Sequence, residues 1–321
     1  MQNTPQNKIS KQPLFSVLIA NYNNGKYLME AIDSVRRQTY THWEIILVDD
    51  ASTDNSKELY KELEKDNRIH IYYNEENRGC GYTKRRCADL ANGELCGFLD
   101  PDDALTDDAL AKHTKVHISR ANVSVVYSKA YFCDTNFTIL HKATLPKFSA
   151  GETYFDYRFW GSMHFCSYKK ASYMETDGIN PLLKAGVDQD LYFKIEEVGN
   201  AYLLDELCYY YVVKGHTNAI STNFNNFVNL WYWNMEARRE TCIRRGLDIH
   251  SIMLTDWKQI FENYRRIFVE MNNEEQIQKL VDSKVNEVAQ KKADQVRSSY
   301  AYRLGKFLLR PFSFIRQHIS K

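Results

Sequence analysis

No stretch of about 18 apolar residues, the length a membrane-crossing helix needs, occurs anywhere in the 321 residues. The amino-terminal MQNTPQNKISKQP is polar, has no apolar run behind it and does not read as a secretory signal. Proline (6) and glycine (13) are sparse, which excludes collagen-like and other Pro/Gly-dominated chains. The seven cysteines, Cys80, Cys87, Cys96, Cys133, Cys166, Cys208 and Cys242, contain no C-x-x-C pair and are odd in number. They read as reduced thiols of a cytosolic protein rather than as a disulfide scaffold. Net charge is almost absent too: 42 Lys+Arg against 41 Asp+Glu leave +1. A domain that neutralises nucleic acid over its whole surface is usually strongly basic, so no nucleic-acid partner is expected.

What is present, 44% hydrophobic and 26% charged residues, fits a globular chain of about two domains, or one large α/β domain with an appendage. Residues 1–13 read as a flexible leader. FSVLIA (15–20) is a β-branched apolar run that ends in the turn-forming Asn21-Tyr22-Asn23-Asn24-Gly25. Tyr27, Leu28, Ala31, Ile32 and Val35 then recur at helical spacing before a second apolar run, WEIILV (43–48). The alternation continues with a helix over 54–65, a strand at 69–73, a helix over 82–91, a strand at 95–99, a helix over 106–119 and a strand at 123–127. This order predicts a mostly parallel sheet covered on both faces. From 131 to 223 short strands at 163–168 and 207–213 accompany one helix at 188–198, too few helices to cover more parallel sheet. A mixed or antiparallel extension of the same sheet is expected there, followed by helices beyond 224.

Three acidic clusters fall where strands end or a helix begins. Asp49-Asp50 follows WEIILV, at the carboxyl end of a strand, where open α/β sheets bind ligands; the same residues would also serve as helix caps. Asp100-Pro101-Asp102-Asp103 follows LCGFL. Carboxylates two residues apart on an extended segment face the same way and can grip a hard divalent cation, leaving other positions to water and phosphate oxygens. A solvated turn with a helix cap is the competing reading. Asp188-Gln189-Asp190 opens a helix, where one carboxylate could act as a general base toward a hydroxyl, or simply complement the helix dipole. His164, Trp160 and the Tyr209–Tyr211 run read as packing residues.

Taken in order, SVLIANYNNGKYLMEAIDSVRRQTYTHWEIILVDDASTD and NRGCGYTKRRCADLANGELCGFLDPDD resemble the inverting family 2 glycosyltransferases of the GT-A fold. The likeness runs over residues 14–130 and continues more weakly through VDQDLYFKI and YYYVVKGHTNAIS to 222. It implies an α/β GT-A nucleotide-diphospho-sugar transferase domain over 14–222, with a donor-binding half (14–130) and an acceptor half (131–222); the helical region expected after it (223–296) matches nothing specific. It also implies transfer of a sugar, with inversion, from a UDP- or GDP-type donor to a hydroxyl of a glycan or lipid-linked acceptor. Mg²⁺ or Mn²⁺ is the implied cofactor, and polysaccharide or lipopolysaccharide synthesis the implied setting. A relative that had lost the D-x-D segment would be an inactive sugar-nucleotide or glycan-binding scaffold; this chain retains it.

By motif position, Tyr22 and Asp50 fall where the family contacts the donor's base. Asp100, Asp102 and Asp103 fall on the D-x-D segment at metal and ribose, and Asp188 on the catalytic base. His216 falls where several members place a further metal ligand, although a histidine after Gly215 could equally cap a turn. Lys84 replaces the arginine of the family's A-R-N segment and is expected to meet the diphosphate or the base; Arg85 and Arg86 beside it could share that contact or equally form a solvated basic face. The acidic residue that usually precedes the base is Val187 here, which leaves Asp190 as an alternative base, while the spacing to Leu191 favours Asp188.

The carboxyl-terminal segment 297–321 carries Arg297, Arg303, Lys306, Arg310, Arg316 and Lys321, with no acidic residue after Asp294. Tyr300, Leu304, Phe307, Leu308, Phe312, Ile315 and Ile319 recur at nearly helical spacing. Such a basic amphipathic tail suits the anionic inner leaflet of a membrane, so a cytoplasmic protein held peripherally at the cytoplasmic membrane is expected. Docking on a partner or on the chain itself is the rival reading.

Overall fold

A computed structural model describes residues 10–143, 153–156, 164–214 and 224–249. All of them belong to the first of two units, Met1–Met253. The elements are β1 (Phe15–Asn21), α1 (Gly25–Arg36), β2 (Trp43–Asp49), α2 (Ser56–Leu63), β3 (Ile69–Tyr73), α3 (Cys80–Leu90), β4 (Leu95–Phe98), β5 (Ala104–Leu105), α4 (Ala109–Ser119), β6 (Val123–Asp134), β7 (Ile139–Lys142), β8 (Cys166–Lys169), α5 (Lys170–Met174), α6 (Val187–Val198), β9 (Asn200–Lys214) and α7 (Phe224–Arg245).

The first half is doubly wound. β1 lies between β2 and β4, β2 also pairs β3, and all three pairings are parallel. β2 is buried along its whole length, the signature of a strand covered on both faces. One layer places Leu28, Ala31, Ile32 and Val35 of α1 against Val17, Ile19, Ile45 and Leu47. The other places Cys87 and Ala88 of α3, with Leu191 and Ile195 of α6, against Leu18, Ile46 and Val48. Odd and even residues of β1 and β2 thus feed opposite layers, as the two-residue repeat of a strand requires.

The extension is mixed. The nine-stranded sheet runs β3-β2-β1-β4-β8-β6-β9-β5, with β7 hairpinned onto β6. β8 pairs antiparallel with both β4 and β6, β6 is parallel to β9, and β5 is antiparallel to β9. The expected mostly parallel sheet with a mixed extension is what forms. One placement differs from a simple sequential winding: the strand at 123–127 does not lie beside β4, because the later β8 is inserted between them. Behind that insertion His113 shares hydrogen bonds with Ser167 (2.8 Å) and Ser128 (3.1 Å), and His117 with Ser167 (2.9 Å), in a buried polar network.

Candidate active site

The carboxyl ends of β1, β2 and β4 open on one edge of the sheet. After β1, Tyr22 is exposed while Asn21 beneath it is buried, its side-chain amide donating to Ser56 (3.0 Å) and Tyr60 (2.7 Å). After β2, Asp49 accepts from Tyr60 Oη (2.6 Å) and from the Ser52 amide (3.0 Å), fixing the loop. Asp50 accepts from the amides of Arg78 (2.9 Å) and Gly79 (2.8 Å) and from Asn74 Nδ2 (2.6 Å). Both Asp50 oxygens are therefore engaged in shaping the turn that leads into α3, a positioning duty that the expected contact with a base had not included.

The turn after β4 carries Asp100, Asp102 and Asp103. The Asp100 amide donates to Tyr209 Oη (3.2 Å), and the same hydroxyl donates to Asp103 Oδ2 (2.9 Å). The Val212 amide donates to Asp103 Oδ1 (2.8 Å). Asp103 is only 2% exposed, and burial, then the charges of Asp102 and Asp100, push its carboxyl well above the ordinary range. It works as the peg that holds this turn to β9. Asp102 is pushed up to about 6 by burial and by Asp100. Crowding of carboxylates in this way costs free energy unless a cation neutralises them.

Lys84 reaches the same place from α3. Its Nζ lies 2.8 Å from Asp188 Oδ1 and 3.0 Å from Asp100 Oδ1, with the Phe98 ring centroid at 5.2 Å. Burial opposes the ammonium charge, but Asp100 and Asp188 outweigh it and hold the Lys84 pKa well above its usual value. Asp100 is correspondingly lowered: burial raises it, while Lys84 and then His164 lower it further. Arg85 and Arg86 are half-buried and tied to the backbone of other segments. Arg85 donates to the carbonyls of Asp177 (3.0 Å) and Ile179 (2.9 Å), and Arg86 to the Tyr73 carbonyl (2.7 Å).

α6 supplies the third side of the cluster. Asp188 and Asp190 both lie in its first turn, but two residues on a helix are about 200° apart around the axis. Asp190 is 2% exposed and accepts from Lys194 Nζ (2.9 Å) and the Asn180 amide (2.9 Å). The Asp188 side chain is 29% exposed and faces Lys84. Gly186, just before the helix, has φ +67°, and a Cβ there would stand 2.3 Å from Asn234 Oδ1 of α7. Glycine is thus required both for the left-handed backbone and for the close approach of α7, and together they set the angle at which α6 presents Asp188.

His164 was expected to be a packing residue. It stacks on Tyr209 and Tyr211, with ring centroids 5.1 Å away in each case. Burial lowers its pKa while the charges of Asp188 and Asp100 oppose that shift, so it stands at the rim of the acidic cluster. The signal for this was hidden in topology, since only the insertion of β8 beside β4 carries residue 164 to the strand ends. Tyr209, the clamp on the Asp100–Asp103 turn, was missed because the long-range pairing of β9 with β5 brings it there.

Among the described residues no three His, Cys, Asp or Glu side chains are already gathered as a metal site. The clustered donors are carboxylate oxygens, hard ligands suited to Mg²⁺ or Mn²⁺, and a cation of this kind is commonly held by one or two carboxylates with phosphate and water completing its shell. The residues present fit such an ion. His216, Trp160 and the basic segment 297–321 lie outside the described residues.

The architecture has counterparts among solved structures. S. aureus TarS 1-349 in complex with UDP-GlcNAc superposes with a TM-score of 0.62 at 19% identity, covering 86% of this chain and 80% of that one. The mannosyltransferase PcManGT from Pyrobaculum calidifontis in complex with GDP-Man and Mn²⁺ gives a TM-score of 0.58 at 15% identity, covering 97% and 91%. In sequence, the hyaluronan synthase of Pasteurella multocida is 28% identical over 214 residues, 66% of this chain and 22% of that protein. The chain spans less than half the length of the first curated relatives it matches. Residues 16–177, half of the chain and the part that contains Asp50, Lys84 and the Asp100–Asp103 turn, match the sequence profile described as Glycosyl transferase family 2, and the chain belongs to that family.

Proposed function

We propose that the protein is a metal-dependent, inverting glycosyltransferase that moves a sugar from a nucleotide-diphosphate donor to an acceptor hydroxyl in the synthesis of a cell-surface polysaccharide or lipopolysaccharide. The observation that carries this reading is the meeting of Asp100, Lys84 and Asp188, from a strand end, α3 and α6, at the carboxyl edge of the parallel strands. The solved counterparts hold UDP-GlcNAc and GDP-Man, which supports a UDP- or GDP-type donor.

Asp188 is the general base. It is the exposed member of its pair, and one carboxylate that takes the acceptor proton is enough for a single displacement with inversion. Asp102, with Asp100, would hold the divalent cation, whose chemistry is to stabilise charge on the departing diphosphate. Asp103 keeps the turn in place. Tyr22 offers an exposed ring at the end of β1 for the base, and Asp50 orders the Arg78–Gly79 turn beside it. Beyond the described residues, His216 would add a metal ligand, and the tail 297–321 would bind an anionic leaflet, holding the enzyme beside a lipid-linked acceptor; co-sedimentation with anionic vesicles that survives deletion of 297–321 would remove that part.

The test is a thermal-shift screen of the purified chain against UDP, GDP, CMP and dTDP sugars, each with and without Mn²⁺. Stabilisation by one nucleotide class that depends on Mn²⁺ is expected. A folded protein indifferent to every donor would overturn the reading.

A further inference from the structure

Lys84 contacts two of the three carboxylates given a part in the proposed reaction, Asp188 and Asp100. Its ammonium has three N–H donors and no acceptor. Two of them point at Asp188 Oδ1 and Asp100 Oδ1 at 2.8 and 3.0 Å. Asp188 Oδ1 is thus occupied by the lysine for as long as this contact lasts, and an acceptor hydroxyl has to compete with the ammonium for that oxygen.

We propose that Lys84 is a lock on the base: without donor its ammonium holds Asp188, and the diphosphate of an arriving donor draws it away, so that the base is released only when a donor is seated. This rests on the reading of the site given above. The geometry favours movement of the side chain alone. α3 is fixed to the segment before α6 by the Arg85 bonds to Asp177 and Ile179, and the Gly81 amide donates to the Leu183 carbonyl at 3.0 Å. The lysine stem is flexible and its head is a point charge that can change partners. Exchanging one charge-assisted hydrogen bond for another, to a more highly charged diphosphate, is favourable without any movement of the backbone. The charge left on Asp100 would then be shared with the cation, and that on Asp188 stays at its more exposed position, ready for the acceptor hydroxyl.

The lock predicts a coupling that is read by binding alone. Calorimetric titration with Mn²⁺ plus UDP or GDP, whichever the donor screen selects, is done on the wild type, Asp188→Asn, Lys84→Met and the double variant, with the corresponding monophosphate as a control. Asp188→Asn should tighten diphosphate binding by about fivefold, the scale of one partly exposed ion pair that no longer has to be given up. In the Lys84→Met background the same change should do nothing, and the preference for diphosphate over monophosphate should fall by about tenfold. Equal tightening in both backgrounds would mean plain repulsion between Asp188 and the diphosphate, and would overturn the lock. No tightening in either would make Lys84 a fixed brace and overturn it as well. If Lys84→Met does not fold, Lys84→Gln takes its place, and unchanged affinity of Asp188→Asn is by itself enough to refute the lock. A wild type that binds no nucleoside diphosphate would overturn the site reading, and the lock with it.

Discussion

Replacing Tyr209 by phenylalanine removes one buried oxygen and tests how the Asp100–Asp103 turn is held. That hydroxyl accepts from the Asp100 amide at 3.2 Å and donates to Asp103 Oδ2 at 2.9 Å. Tyr209 is 1% exposed and Asp103 2%, so water cannot replace what is lost. Burial holds the Asp103 carboxyl well above its ordinary range, so both hydrogen bonds count as ordinary ones of about 0.5–1.5 kcal/mol. The ring keeps its packing, so the sum, about 2 kcal/mol, is the expected loss of stability. With a urea dependence on the order of 3 kcal/mol per molar for a domain of this size, the unfolding midpoint should fall by about 0.7 M. Mn²⁺-dependent donor binding should weaken by about tenfold, because the turn that presents Asp102 loses its clamp. Tyr210→Phe, at a half-buried ring stacked on Tyr131, is the control and should change little. A Tyr209→Phe protein within about 0.5 kcal/mol of the wild type, with unaltered metal-dependent binding, would refute the reasoning.

Asp102→Asn and Asp103→Asn should separate two duties on adjacent residues. The first should abolish the Mn²⁺ dependence of donor binding and leave the urea midpoint nearly unchanged. The second should lower the midpoint while Mn²⁺ dependence survives, and the reverse pattern would exchange the assignments. Stability should also fall with acidification through the buried histidines. Burial, then the charges of His117 and Lys112, hold His113 well below its usual pKa, and burial, then Lys169, lowers His117 to about 3. A histidine with a depressed folded pKa contributes stability above the unfolded value of about 6.5 and loses it as pH falls below that value, by about 1.4 kcal/mol per histidine between pH 7.5 and 5.5. Buried carboxyls with raised values, Asp102 at about 6 and Glu196 at about 7, act in the opposite direction. The decisive measurement is therefore the difference between wild type and His117→Asn, whose unfolding free energy should be less acid-sensitive by that amount. Identical acid sensitivity would refute it.

Much of the architecture of residues 14–130 was legible because central parallel strands must be apolar throughout and their helices must carry one apolar face. β3 forms over the expected 69–73, and β1, β2 and β4 differ from expectation by a residue at their ends. The strands of the mixed extension were less legible. β9 runs from Asn200 to Lys214, but Asp205 and Glu206 interrupt its apolar pattern, and its pairing with β6 shifts register between Tyr127 and Lys129, so only its second half was readable. β8 has four residues, all buried, too few to show a period, and its position between β4 and β6 is decided by long-range pairing. β5 has two residues and no local signal.

For the candidate site, residue types and order pointed to the carboxyl edge of the parallel strands, where Asp100, Lys84 and Asp188 meet, and geometry then sorted neighbours that sequence could not. Asp188 and Asp190 are the clearest case. The i,i+4 spacing of Asp190 to Lys194 was a signal that one of the two would be taken up by an ion pair, and the structure buries that pair. The Lys84–Asp188 contact joins residues 104 positions apart, a separation that no local pattern encodes.

The most direct test of the site is to measure donor affinity and turnover of Asp188→Asn side by side, following hydrolysis or transfer of the donor sugar that the screen selects. Affinity should improve by about fivefold, while turnover falls by a factor on the order of 100 or more, the scale of a lost general base. Turnover that persists, or that falls only in proportion to a loss of donor binding, would contradict the assignment of Asp188 as the base.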